Sequence, residues 1–99
     1  MQNGAGFTRI TQDGIINEGN SLIFGISIEA SVDGGDVSVY EGLDTQSGRL
    51  HGTYKALVND RKPFGFPAPV FFDRGIYIDI GSNVTAVTVY WLPVRNEGA

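Results

Sequence analysis

The residues of this chain that could take part in acid–base catalysis are few. His51 is the only histidine, and the chain contains no cysteine. No serine, cysteine or carboxylate motif of a catalytic set lies near His51, and the G-x-S-x-G, phosphate-binding-loop and H-E-x-x-H patterns do not occur. We therefore predict that the protein is not an enzyme and that His51 is an exposed residue on the polar face of a strand.

Oxygen ligands for a metal ion occur in one short stretch. Asp33, Asp36 and Glu41 lie close together in the sequence, and Ca²⁺ prefers such oxygens. The spacing Asp33-Gly34-Gly35-Asp36 is equally typical of a turn between strands, and we favour the turn. The absence of cysteine excludes disulfides and thiolate metal sites and fits a reducing cytoplasm. We predict no metal site and no cofactor.

The aromatic residues could form a binding platform. The four tyrosines, Tyr40, Tyr54, Tyr77 and Tyr90, lie in predicted strands, and Trp91 follows the aliphatic face of the last strand. These rings either pack within the sheets, which we favour, or stand exposed to stack on a sugar or a protein partner.

A second aromatic group lies in the proline-rich stretch at residues 63–69. Phe64, Phe66 and Pro67 have few neighbours available inside a domain of this size. The two phenylalanines either tuck under the sheet as a plug or dock into a neighbouring subunit. This choice is the sharpest interaction hypothesis that the residues alone provide.

Period-two alternation predicts the strands that position these side chains. Ile76, Ile78 and Ile80 share one face of a strand, and Tyr77 and Asp79 share the other. A second alternating strand at residues 87–92 follows the turn at 81–83, so we expect the two to pair as a final hairpin. Further strands are predicted at residues 7–12, 15–16, 21–30, 37–41, 49–58 and 70–72. We expect a hairpin turn at Asp13-Gly14, and an edge strand or extended excursion at residues 59–69 because proline cannot donate to a ladder.

These strands predict an all-β fold. The 99 residues suit one domain, and 14 glycines suit many tight turns. We expect a single small antiparallel β-sandwich over residues 1–99, jelly-roll or immunoglobulin-like, with seven to eight strands. A small barrel is the alternative. Residues 1–6 are expected to form a flexible arm and residues 94–99 a C-terminal tail.

The charge pattern argues against two classes of partner. The net charge is −4, and the seven lysines and arginines are scattered along the chain. Binding to nucleic acid or to an anionic membrane needs clustered cations, so we expect neither. No stretch approaches the roughly 18 apolar residues of a membrane span. The first ten residues lack a basic region followed by an apolar core, so we expect no secretory signal.

The order of several short motifs resembles a known group. The stretch Val37-Ser38-Val39-Tyr40-Glu41-Gly42 is followed by Gly48-Arg49-Leu50, then by Phe72-Asp73-Arg74-Gly75-Ile76-Tyr77-Ile78-Asp79-Ile80 and by Val87-Thr88-Val89-Tyr90. Small virion proteins of tailed bacteriophages show a similar order of strand ends and strand starts. The resemblance covers roughly residues 36–92.

The resemblance implies a structural protein of the virion, assembled in the cytoplasm of the host bacterium. A head decoration (cement) protein that binds between major capsid subunits is the first expectation, and a neck, tail or fibre component is the second. The expected partners are the major capsid protein or other virion proteins, together with copies of the chain itself in a homo-oligomer that could be a trimer. The resemblance assigns no contact residue; the contact candidates, taken from the N-terminal region and the proline-rich stretch, are Phe7, Arg9, Phe64, Phe66 and Pro67.

The resemblance also places turns and one aromatic contact. Gly42 and Gly75 are expected where the chain leaves or enters a strand, and Tyr77 and Tyr90 are expected to stack across the final hairpin.

A carbohydrate- or receptor-binding β-sandwich is a competing function that would use exposed tyrosines and Trp91. Solvent exposure of the indole distinguishes that function from a structural one.

Overall fold

The computed structural model describes residues 6–57 and 61–94, which form eight strands and no helix. In chain order they are β1 (Gly6–Ile10), β2 (Gly14–Asn17), β3 (Ser21–Ala30), β4 (Gly35–Glu41), β5 (Arg49–Ala56), β6 (Arg61–Phe72), β7 (Ile76–Ile80) and β8 (Val84–Pro93). In this described part of the chain, no helix is long and apolar enough to cross a membrane.

The strands form two antiparallel four-stranded sheets that pack face to face. Sheet A has the order β1-β8-β3-β6, and sheet B has the order β2-β7-β4-β5. Only the β4–β5 connection stays within one sheet; every other connection crosses to the opposite sheet. The predicted β-sandwich is confirmed, and the strand order is that of a jelly roll rather than of an immunoglobulin domain.

The core lies between the inner faces of the two sheets. Alternation directs every second side chain inward, so Ile76 and Ile78 are fully buried on β7, while Tyr77 between them points outward. Complete burial of one such isoleucine stabilises the fold by about 1.5–3 kcal/mol. The fully buried aliphatic side chains of both sheets are Ile23, Ile26, Ile28, Val37, Val39, Ile76, Ile78, Val87 and Val89.

The predicted final hairpin is wrong. β7 pairs with β2 and β4 in sheet B, whereas β8 pairs with β1 and β3 in sheet A. The turn at residues 81–83 therefore carries the chain between sheets, and Tyr77 and Tyr90 lie on opposite outer faces rather than stacked. Asp13-Gly14 is likewise a crossing between sheets rather than a hairpin turn. Alternation identifies a strand, but it does not identify the strand's partner.

Strand β6 is the edge strand that the prolines predict. It pairs only with β3, and its register shifts between the pairs Gly25–Gly65 and Ile23–Val70. Residues 66–69 therefore bulge away from the ladder, where the missing N–H groups of Pro67 and Pro69 are tolerated.

Parts of the predicted terminal segments lie outside the described residues. Residues 1–5 of the expected arm and residues 95–99 of the expected tail belong to this group. Gly6, predicted in the arm, begins β1, and Val94 donates its backbone N–H to the carbonyl of Asn20 at 2.9 Å.

Candidate functional site

The structure places the five predicted contact residues in two separate regions. Phe7 and Arg9 lie on the outer face of sheet A, at the β1 edge. Phe64 and Phe66 turn inward at the opposite edge, where β5 and β6 close the sandwich. Pro67 is exposed in the β6 bulge.

An aromatic cluster fills the opening between β5 and β6. The ring of Tyr54 lies 5.0 Å from that of Phe64 and 6.1 Å from that of Phe66, and the ring of His51 lies 5.5 Å from Phe66 and 5.4 Å from Phe72. Both Phe64 and Phe66 are partly buried and pack against the core. Phe64 and Phe66 therefore tuck under the sheet as a plug, whereas Pro67 lies on the surface.

The environment of His51 differs from the prediction. A register shift at Val39/Tyr40 turns Leu50 outward and directs the His51 ring toward the cluster, where Nε2 lies 3.0 Å from the Tyr54 hydroxyl. Alternation along the predicted strand at residues 49–58 places Leu50 on the same face as Tyr54 and Ala56, and this prediction is wrong. Partial burial lowers the pKa of His51, and the nearby Glu41 carboxylate opposes that shift. His51 nevertheless stays largely exposed at the edge.

Three of the motifs that carry the resemblance meet at one end of the sandwich. The buried Glu41 carboxylate accepts hydrogen bonds from the Asp73 backbone N–H at 2.9 Å and from Arg49 at 2.6 Å. These contacts, with the Asp73 N–H first, lower the pKa of Glu41. The N–H of Gly42 donates to the carbonyl of Gly75 at 3.1 Å, and both glycines have positive φ angles of 148° and 100°. The predicted turn positions of Gly42 and Gly75 are confirmed.

The three carboxylates considered as calcium ligands are not brought together. Asp36 lies at the start of β4 and Glu41 at its end, while Asp33 lies in the turn closed by the Gly34 N–H to the Ser31 carbonyl at 3.0 Å. Within residues 6–57 and 61–94, no three histidine or acidic side chains are placed to hold a metal ion.

The outer face of sheet A carries a shallow groove of about 330 Å³. The ring of Phe7, which is 70% exposed, lies 6.5 Å from the ring of Tyr90 across the β1–β8 pair. Arg9 donates to Glu29 at 3.1 and 3.3 Å, and Arg61 lies 3.7 Å from the same carboxylate. The residues that line the groove are Phe7, Arg9, Ser27, Glu29, Arg61, Thr88 and Tyr90.

The outer face of sheet B carries an apolar row. Ile15 is opposite Tyr77, Tyr77 is opposite Tyr40, and Tyr40 is opposite Leu50, so one residue from each strand takes part. Ile15 is 43% exposed and Leu50 is 53% exposed. Sequence reasoning found the two tyrosines but missed Ile15 and Leu50, because only the strand register brings them into line.

Acidic side chains border the apolar row. Burial, followed by repulsion from Asp13 and Asp36, raises the pKa of Asp79. Burial and the carboxylates of Asp13 and Asp79 also raise the pKa of Tyr77. The margin of the apolar row therefore carries an excess of negative charge.

Trp91 does not form an exposed platform. The indole is partly buried against the core, and its Nε1–H donates to Thr8 Oγ1 at 3.0 Å. The observation counts against a sugar site built on this residue.

Comparisons of the chain with family models, with curated proteins and with solved structures found no match.

Proposed function

We propose that this chain is a non-enzymatic structural protein of a tailed-bacteriophage virion, specifically a decoration protein that binds between major capsid subunits. The observation that carries the proposal is the exposure of apolar side chains on both broad faces of a small sandwich. The order of motifs from Val37 to Tyr90, which resembles that of phage virion proteins, supports the same function.

The two exposed sets differ from isolated surface residues. Phe7 and Tyr90 lie in contact on one face, and Ile15, Leu50 and the two tyrosines between them lie in register on the other. Single exposed apolar residues need no explanation, whereas grouped ones are typical of interaction surfaces. Aromatic side chains are enriched in such surfaces because they bury a large area at a small loss of conformational entropy.

A decoration protein needs surfaces rather than an active site. Many weak contacts around a symmetric shell add together, so each interface can be small. The paired Glu41 and the backbone contacts of Gly42 and Gly75 fix the end of the sandwich and so hold both faces in a defined shape.

Copy number in purified particles tests the proposal. Quantitative mass spectrometry of particles from the source of this chain would give its ratio to the major shell protein. We expect a copy number of the same order as that of the shell protein. A dozen copies or fewer per particle would assign the chain to the neck, tail or fibre, and complete absence from particles would contradict a virion function.

A further inference from the structure

Charge is divided unevenly between the two outer faces. On sheet A, the guanidinium groups of Arg9 and Arg61 share the single carboxylate of Glu29, so one positive charge is left in excess. On sheet B, the acidic residues are Asp13, which directly precedes β2, and the outward-facing Asp36 and Asp79. Lys55 is the cation opposite Asp36. The whole chain is acidic, with a net charge of −4. The outer face of sheet A is therefore where an acidic partner approaches with the least repulsion.

The Arg9 side chain of this face is held in place before any partner arrives. Arg9 makes two hydrogen bonds to Glu29, yet its side chain remains 49% exposed, and that of Arg61 remains 74% exposed. A guanidinium has five N–H donors, so each arginine keeps donors that can reach a second carboxylate. Binding to side chains that are already ordered loses less conformational entropy.

The shape of the face adds an apolar subsite. One row across sheet A runs from Phe7 to Tyr90, Gly25 and Gly65. The rings stand on β1 and β8, whereas Gly25 on β3 is buried and Gly65 on β6 is exposed. A Cβ built at Gly65 meets nothing within 4 Å, so the space above that residue is open.

We propose that the outer face of sheet A is the surface that binds the shell, and that it binds an acidic protein surface in which a carboxylate lies beside an exposed apolar side chain. The carboxylate contacts Arg9 and Arg61, and the apolar side chain contacts Phe7 and Tyr90. The inference deepens the proposed function and rests on it, because the partner is the phage shell. The outer face of sheet B then remains directed away from the shell.

Binding of the purified chain to shells that lack it tests this assignment. Arg61→Gln removes a charge from sheet A, and Lys55→Gln removes one from sheet B as the matched control. Phe7→Ala and Leu50→Ala form a second pair, in which each variant shortens one exposed apolar side chain. We expect each sheet A variant to weaken binding by about tenfold or more, because one charge-assisted or aromatic contact is lost. Each sheet B control should change binding by less than about twofold.

Two further measurements separate contact from stability. Gly65→Gln places a side chain on this face from a position where the Cβ meets nothing within 4 Å, so it should weaken shell binding while the denaturation midpoint changes little. Raising the salt concentration should weaken binding of the wild type more than binding of Arg61→Gln, because one screened ion pair is already missing.

The outcomes distinguish the two proposals. If the wild type binds shells but the sheet A variants bind equally well, or the controls are weakened as much, the surface assignment is overturned and the proposed function stands. If the wild type does not bind shells, both proposals fail. If the chain instead binds polygalacturonate in a manner that requires Phe7 and Arg61, an acidic sugar replaces the protein partner.

Discussion

The two outer faces of the sandwich differ in the charge and in the arrangement of their exposed side chains. On sheet A, Arg9 and Arg61 pair with the single carboxylate of Glu29, and open space lies at Gly65, in the same row as Phe7 and Tyr90. On sheet B, an unbroken apolar row crosses all four strands and carboxylates crowd its margin. Both faces expose apolar surface, but sheet A combines it with an excess positive charge, an arginine already hydrogen-bonded to Glu29, and open space at Gly65.

Gly25 and Gly65 of sheet A should respond in opposite ways to an added methyl group. A Cβ at Gly25 would lie 2.5 Å from the Phe64 carbonyl oxygen and 3.2 Å from the Gly65 Cα, whereas one at Gly65 is unobstructed. Gly25→Ala should lower the free energy of unfolding by up to about 3 kcal/mol, because backbone atoms must move. Gly65→Ala should raise it by about 0.4–1 kcal/mol through a less flexible unfolded chain. Urea denaturation of both variants checks the difference, and equal effects would contradict the register described for β3 and β6.

A smaller effect is expected from the shared carboxylate of sheet A. The hydrogen bond from Arg9 lowers the pKa of Glu29, so the ionised form stabilises the fold. Glu29→Gln should therefore lower the free energy of unfolding by about 0.5–1 kcal/mol at pH 7, because partly exposed ion pairs contribute little more than this. The loss should fade as pH falls through the ordinary glutamate pKa of about 4.3 and then through the lower folded-state pKa. Denaturation curves from pH 7 to pH 3 measure it, and a loss that stays constant with pH would show that the charge is not responsible.

The smallest effect, with the opposite sign, is expected on sheet B. Burial and the carboxylates of Asp13 and Asp36 raise the pKa of Asp79, so ionised Asp79 destabilises the folded state. Asp79→Asn should raise the free energy of unfolding at pH 7 by less than about 1 kcal/mol, the usual range for like charges in a sheet. The gain should shrink as pH falls through the raised folded-state pKa and vanish below the ordinary value of about 3.9. Denaturation of the Asp79→Asn variant at pH 7 and pH 3 measures the change; Ser38→Ala, which removes the uncharged hydrogen bond between Ser38 and Thr53 at 2.9 Å, is a control on the same row whose effect should not vary with pH. A loss of stability at pH 7 would contradict the account of a crowded acidic margin.

Period-two alternation was sufficient to predict the strands but not the sheets. Ile76, Ile78 and Ile80 identify β7 from the sequence, because burial of one face imposes the pattern directly. The partner strands are set by contacts between distant parts of the chain, such as the Trp91–Thr8 hydrogen bond, which spans 83 residues. A local pattern contains no information on such contacts, so the final hairpin was predicted wrongly.

The candidate site was predictable only in part for the same reason. Phe7 and Arg9 were singled out, but Glu29, Arg61 and Tyr90 join them only through the register of four strands. Leu50 was placed on the wrong face because one register shift reverses the direction of the side chains that follow it. Pro67 and its neighbours were recognised as an edge because proline restricts the backbone itself.

Radical footprinting of the particle-bound chain, compared with the free chain, shows which outer face of the sandwich contacts the shell. Oxidation of Phe7 and Tyr90 on sheet A should slow at least severalfold in the particle, while oxidation of Tyr40 and Tyr77 on sheet B should proceed at nearly the free rate. Equal oxidation of the sheet A pair in both states, or protection confined to the sheet B tyrosines, would contradict the account.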